Sequence, residues 1–374
     1  MVHRLPIFEN PVAFLTKFQP DTPVHFFAPR KLEEKAGEFL RGFPGLVTFA
    51  VKSNPAPAVL THLLQSGIRG FDVASPSEIQ SVKDLCPNCA LHYNNPVRSH
   101  SEIKVAAKSG VTSYSVDTIG ELEKLARLVN PTDTETSVRF KLDIEGAAYD
   151  FGSKFGACPS EAIDLLRRAE EYGFVTSLTF HPGTQCKDPA AYAKYILAAQ
   201  EISQGAGVSI RRLNVGGGFP SGRDGNPTDL SAFFSSISDA TMSFEQQPDL
   251  VCEPGRGMVG DAFSLAVRVK SVRPNAVFLN DGIYGGLSEC PSMGVPKFCV
   301  VSPEGRIKEN SPQDMIVFGP TCDSIDTLTN PIALPHDIAE GDYLIFRSMG
   351  AYVTGVSTMF NGYGARETVL VRDL

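Results

Sequence analysis

The chain has 374 residues, 42% of them hydrophobic and 20% charged, with a mean hydropathy of -0.06; this suits two domains, or one large barrel with a smaller companion, and excludes disordered, collagen-like and membrane classes. Lys and Arg number 34 against 42 Asp and Glu, a formal charge of -8, so no chain-wide basic field exists to hold nucleic acid or anionic lipid. The opening MVHRLPIFENPVAF lacks an apolar signal core, and no later run nears the roughly 18 apolar residues of a spanning helix; the expected compartment is the cytoplasm.

In chain order, VHFFAP is the first β-like run and could join either of two units. From about residue 46 to 256 short β-rich runs alternate with helical stretches, the pattern of a parallel sheet with crossover helices. The predicted strands cover 46–51, 70–73, 90–93, 112–116, 138–142, 176–180, 212–215 and 250–252, the number that closes a barrel. Between them ELEKLARLV (121–129) and SEAIDLLRRAEEYG (160–173) repeat apolar residues three and four apart, as amphipathic helices do. Beyond roughly residue 260 the texture changes to Val-rich alternating runs, FSLAVRVKSV, MIVFGP and DYLIFRSM, separated by Gly, Pro and Asn. That reads as an antiparallel β domain. The 8 cysteines are scattered and expected to stay reduced. Cys86-Pro-Asn-Cys89 has the spacing of a metal or redox pair, but no second pair accompanies it, so it reads as a loop and no metal site is expected.

In a parallel barrel, chemistry collects at the C-terminal ends of the strands, where loops vary without disturbing the packed interior. Lys52, Asp72, His181, the triplet Gly216-Gly217-Gly218 and Glu253 all fall at such ends. Each alone has a plain structural explanation: a lysine ending a strand snorkels, and a lone histidine is usually a satisfied structural residue. Together they form one rim. The glycines allow close backbone approach to an anion, and Arg256 in EPGR would add a charge-assisted fork to the same phosphate. A phosphate-binding rim with a lysine after the first strand suggests a phosphorylated aldehyde held as a Schiff base.

Motifs running through nearly the whole chain in one order carry a resemblance: FFAPRKLEEK, AVKSNP, FDVASPSEI, KFGA, FHPGTQ, GGGFP, EPGR, NDGIYGG, GPTCDSID, GAYVT and FNGYG. The chain resembles the fold type III pyridoxal-phosphate decarboxylases, which include the ornithine, diaminopimelate, arginine and lysine enzymes. The resemblance implies a (β/α)8 TIM barrel of the alanine-racemase type at 27–260 plus a C-terminal antiparallel β domain formed by 1–26 and 261–374. It implies pyridoxal 5'-phosphate as cofactor, with Lys52 carrying the Schiff base, His181 stacking on the ring, and Asp72 and Glu78 shaping the Lys52 side. Gly217, Gly218, Gly255, Arg256, Tyr352 and Thr184 would bind phosphate. Glu253 would pair with the pyridine nitrogen and favour its protonated, electron-accepting form. It further implies a homodimer whose active sites are shared, the partner contributing Cys322 as proton donor and Asp323 as receiver of the substrate's distal cation.

Three departures bear on the substrate. After NDGIYGG the ornithine enzymes carry a Tyr-Asp pair, whereas here SECPSMGVP follows, leaving Glu289, beside Tyr284, as the only acid nearby. Asp150 stands where an arginine is often found, and HPGTQ replaces His-Val-Gly-Ser, stiffening the turn behind His181. The expected reaction is decarboxylation of a small basic L-amino acid, with ornithine first and lysine, arginine or 2,4-diaminobutyrate as rivals. The alternatives are a silent relative of the antizyme-inhibitor kind, against which Lys52, His181, Glu253, Arg256 and Cys322 are all retained, and a racemase. Glu253 and Cys322 argue against the racemase.

Overall fold

The computed structural model describes residues 6–142 and 154–374, so Asp150 lies outside the described residues. The chain divides into two compact units, one made of Lys35–Pro220 and Thr228–Met258, the other of Met1–Glu34, Ser221–Pro227 and Val259–Leu374. Strands are numbered in chain order, starting with β1 (Val24–Phe27).

The first unit is a closed barrel. Its strands are β2 (Leu46–Ala50), β3 (Gly70–Val73), β4 (Ala90–Tyr93), β5 (Ser113–Val116), β6 (Glu135–Arg139), β7 (Val175–Thr179), β8 (Arg212–Asn214) and β9 (Asp249–Cys252), each parallel to its neighbours, with β9 returning to β2. The crossover helices begin where the sequence caps them. Ser75 accepts the Glu78 N–H (3.3 Å), and Ser99 with Glu102 forms a reciprocal capping box. Phe49, Phe71, Tyr114, Leu178 and Leu213 are fully buried on the strand faces opposite those that carry Thr48, Asp72, Ser113, Ser177 and Asn214.

Seven of the eight predicted strands match to within a residue at each end. One of these, Leu46–Ala50, ends where a single helical turn, Val51–Ser53, carries Lys52. The eighth differs more: β6 lies at Glu135–Arg139, not 138–142. Its first half is polar yet buried, because Glu135 pairs with Arg212 at 2.6 Å and accepts the Ser177 hydroxyl at 2.6 Å. An apolar-run search misses a strand whose polar side chains satisfy one another inside. The cysteine expectation also needs correction. Cys86–Pro87–Asn88–Cys89 is a loop, but its two cysteines are joined by a disulfide. The Cys89 N–H donates to the Cys86 carbonyl (3.2 Å), and this turn brings the two Cα atoms to 5.4 Å, within disulfide reach.

The second unit is a sheet in the order β13-β12-β16-β10-β11-β14-β15, with β1 between β10 and β17. Its members are β10 (Phe263–Arg273), β11 (Ala276–Leu279), β12 (Phe298–Val301), β13 (Ile307–Lys308), β14 (Pro312–Phe318), β15 (Ile332–Pro335), β16 (Tyr343–Arg347) and β17 (Glu367–Leu370). It is mostly antiparallel, as the alternating runs suggest; the two exceptions, β1 with β17 and β11 with β14, join strands separated by long connections, as parallel pairing requires. VHFFAP therefore belongs to this sheet. One core gathers Leu265, Val277, Leu279, Leu334, Leu344 and Phe346, and a second packs Phe14, Val24 and Phe26 with Ile345. No helix among the described residues is long and apolar enough to cross a membrane.

Candidate active site

Seven polar or glycine positions stand at the C-terminal ends of the barrel strands: Lys52 after β2, Asp72 in β3, Asn94 after β4, Arg139 closing β6, His181 after β7, Gly216 after β8 and Glu253 after β9. The amine of Lys52 lies 3.0 Å from Oδ2 of buried Asp72, while its side chain remains 45% exposed and accessible to a ligand. Glu78, in the first turn of the following helix, accepts the Ala74 N–H at 2.7 Å. Burial pushes its pKa up, that hydrogen bond opposes, and nearby Asp72 adds to the rise.

His181 enters the turn His-Pro-Gly, and the Gly183 N–H donates to its Nδ1 at 3.0 Å. Desolvation first, then Arg139 and Lys52, hold its pKa well below the ordinary value. The ring is therefore neutral with its proton on Nε2, a flat uncharged face suited to stacking. Burial likewise lowers the Arg139 pKa, against the pull of Glu253, Asp117 and Asp72; it nonetheless stays cationic.

Glu253 is buried, and burial pushes its pKa up to about 8; Asp72 adds to the rise, while Lys52, a hydrogen bond from Asn214 and Arg139 oppose it. The amides of Asn94 and Asn214 both donate to its Oε1.

The glycine triplet is dictated by backbone crowding. A Cβ at Gly216 would sit 2.2 Å from the Phe180 carbonyl oxygen, and one at Gly217 2.8 Å from the Glu253 carbonyl oxygen and 3.3 Å from His181 Nε2. Gly218 has φ +88° and leaves 2.5 Å to the Gly183 oxygen. Thr184 is half-buried in the segment that closes on this loop, where the Cys186 N–H donates to the Gly218 carbonyl at 2.9 Å. Gly255 packs closely against Ser53, next to Lys52, so that an added Cβ would lie 3.0 Å from Ser53 Cβ, and Arg256, buried, follows it.

The remaining expected residues lie in the β unit. The Tyr284 hydroxyl donates to Asp323 Oδ2 at 2.6 Å, which, with the Ile325 N–H, holds the Asp323 carboxyl below its usual range. The Cys322 thiol is exposed and donates to Asn361 Oδ1 at 3.4 Å. Glu289 turns instead toward Arg223, 3.9 Å away, whose Nη2 also donates to the Gly294 carbonyl at 2.7 Å. Tyr352 has φ +56°. A buried knot holds the Tyr284 and Cys322 segments together: Asp326 accepts the Ile283 N–H, the Thr321 N–H and the Thr321 hydroxyl. Gly282 and Gly319 are required beside it, since a Cβ at either would lie about 2 Å from Asp326 Oδ1.

Sequence reasoning therefore finds Lys52, Asp72, His181, the glycines and Glu253 on one rim, and Tyr284, Cys322 and Asp323 in one group. It misses Asn94, Asn214, Arg139 and Asp326. Their only advance signal is position: Asn94, Arg139 and Asn214 at strand ends and Asp326 three residues past Asp323.

An amine beside a buried carboxylate, a crowded glycine cradle for an anion and a buried acid held through one oxygen by two amides suit a phosphorylated pyridine aldehyde. The chain belongs to the pyridoxal-dependent decarboxylases: residues 30–260 match the family described as pyridoxal-dependent decarboxylase, pyridoxal binding domain. It is a pyridoxal-phosphate-dependent amino-acid decarboxylase with a barrel and a β domain. Among its relatives, the lysine/ornithine decarboxylase of Selenomonas ruminantium is 31% identical over 98% of this chain and 93% of its own length. Antizyme inhibitor 2 of Xenopus laevis is 31% identical over 87% of this chain and 75% of its own. The solved structure of the Paramecium bursaria Chlorella virus arginine decarboxylase bound to agmatine superimposes with a TM-score of 0.85 at 26% identity, covering 96% of this chain and 98% of that one.

Proposed function

We propose that the substrate is a basic L-amino acid, most simply ornithine giving putrescine for polyamine synthesis, and that two subunits complete each active site. Pyridoxal phosphate, when bound, supplies an aldehyde for an amine and a ring that takes up the electron pair left by departing CO2. Lys52 would anchor it through Nζ, with Asp72 orienting the amine. Gly217, Gly218 and Gly255 would take the phosphate through backbone N–H groups, with Arg256 neutralising its charge. Neutral His181 would stack on one face, and the carboxylate of Glu253 would hold a proton on the ring nitrogen.

The partner's Cys322 would hold, at Sγ, the proton that replaces the lost carboxylate, and the partner's Asp323 would face the distal cation. Asp323 is suited to this because Tyr284 keeps it ionised and aimed; Glu289, engaged with Arg223, is less suited. The observation that carries the enzymatic reading is the Lys52–Asp72 pair on a rim that also holds Glu253. Retention of Lys52 and Cys322 speaks against a catalytically silent role, and an acid rather than an arginine at position 253 speaks against racemisation. The test is CO2 release from ornithine, lysine, arginine and 2,4-diaminobutyrate beside an amino acid with no distal cation. The basic substrates should turn over, ornithine fastest. Preference for the uncharged side chain would overturn the substrate reading.

A further inference from the structure

Glu253 is one of the most demanding groups in the barrel: a carboxyl buried among side chains, with the negative charge of Asp72 nearby. Its two oxygens are treated differently. Oε1 accepts from the side-chain amides of both Asn94 and Asn214, whereas Oε2 accepts no hydrogen bond from the described residues. A protonated carboxyl would not need two donors on one oxygen, but a carboxylate is acceptor-only and gains from each.

The orientation of one amide is fixed independently of Glu253. The Gly216 N–H donates to Asn214 Oδ1 at 2.9 Å, so the NH2 end of Asn214 must point the other way, toward Oε1. The Glu253 N–H in turn donates to the Gly216 carbonyl at 2.8 Å. Asn214 thus links the anion-cradling loop to the buried acid, and only a side chain with both a donor and an acceptor end can do so. Asn94 reaches the same oxygen from β4's end, and both amides are themselves buried.

We infer that Asn94 and Asn214 are positioning residues that hold Glu253 as an anion and turn Oε2 toward the cofactor's ring nitrogen, so that the ring's proton is set by two amides that never touch it. The inference rests on the reading of Glu253 as the ring-nitrogen partner, and the experiment separates the two. Either donor, removed, weakens the carboxylate form, and the shared proton moves from ring toward Glu253. Loss of one hydrogen bond to a charged group should shift that equilibrium about tenfold or more. Asn94→Ala tests donation alone, because its side chain makes no other hydrogen bond among the described residues. Asn214→Leu removes the donor and also the support of Gly216.

The holoenzymes are reconstituted with cofactor labelled with 15N at the ring nitrogen, and its NMR shift is read at neutral pH beside cofactor affinity, kcat and KM. Both variants should move the signal toward the unprotonated position and lower kcat about tenfold or more with little change in KM; only Asn214→Leu should also weaken cofactor binding. Asn94→Leu, of similar volume, replaces Asn94→Ala should that variant unfold. Wild-type signals in the Asn variants, with a shifted signal in Glu253→Gln, would overturn this inference and leave the Glu253 reading intact. A wild-type signal in Glu253→Gln as well would remove the Glu253 reading itself.

Discussion

Replacing Glu253 with Gln separates what this residue costs the fold from what it gives the reaction. With no cofactor bound, Glu253 has a pKa raised from 4.5 to about 8. For an acid whose pKa is raised on folding, the native state binds the proton more tightly, so its stabilising contribution is present below about 4.5 and is lost as pH rises through about 8. The groups that set this are named: burial and Asp72 raise the value, and Lys52, Asn214 and Arg139 oppose, with Asn94 a second donor to the same oxygen. The full pH-dependent loss is on the order of 3–5 kcal/mol. Gln keeps a carbonyl oxygen for the two amides and carries no charge, so apo Glu253→Gln should lose this part of the pH dependence and melt higher than wild type near pH 8.5. Yet it would present an NH2 group to the ring nitrogen, removing a charged hydrogen bond and the electron-accepting protonation, for a fall in kcat of about a hundredfold or more. Thermal melting of apo protein between about pH 5 and 9, with CO2 release by the holoenzyme, measures both. Identical pH dependence in variant and wild type, or turnover within tenfold of wild type, would refute the reasoning.

Other outcomes follow from the same geometry. Asp323→Ala should raise KM for ornithine, lysine and arginine by tenfold or more, since the substrate's distal cation loses its carboxylate partner, while cofactor affinity stays put; unchanged KM would contradict its role. Lys52→Ala and Cys322→Ala should each be nearly inactive, yet subunit exchange between them should restore up to about a quarter of wild-type activity, because one site of the mixed dimer draws both intact residues. No recovery, with exchange shown by an independent label, would place both residues in one subunit's site. Gly218→Ala, at φ +88° with 2.5 Å to the Gly183 oxygen, should weaken cofactor binding by tenfold or more in a fluorescence titration, and wild-type affinity would mean that this loop does not bind phosphate.

Lys52, Asp72, His181 and Glu253 were legible because eight parallel strands leave their C-terminal ends on one rim, so charged residues at strand ends meet whatever their separation in sequence. Asn94 and Asn214 were not: an asparagine next to a turn reads as turn chemistry, and only folding reveals that both amides face one carboxylate. β6 was misplaced for a related reason, since Glu135 and Ser177 satisfy each other inside, and pattern reading treats polar residues as exposed. Glu289 is a candidate by position alone, as the one acid in the segment after NDGIYGG, and the fold hands it to Arg223. The disulfide follows from a turn whose geometry the spacing of Cys86 and Cys89 does not specify.

The most direct measurement is borohydride reduction of the holoenzyme followed by peptide mapping of the attached cofactor. The expected result is a single modified residue, Lys52, in the peptide containing AVKSN, with no stable label in Lys52→Ala. Attachment at any other lysine, or undiminished attachment in Lys52→Ala, would contradict the placement of the reaction on this barrel rim.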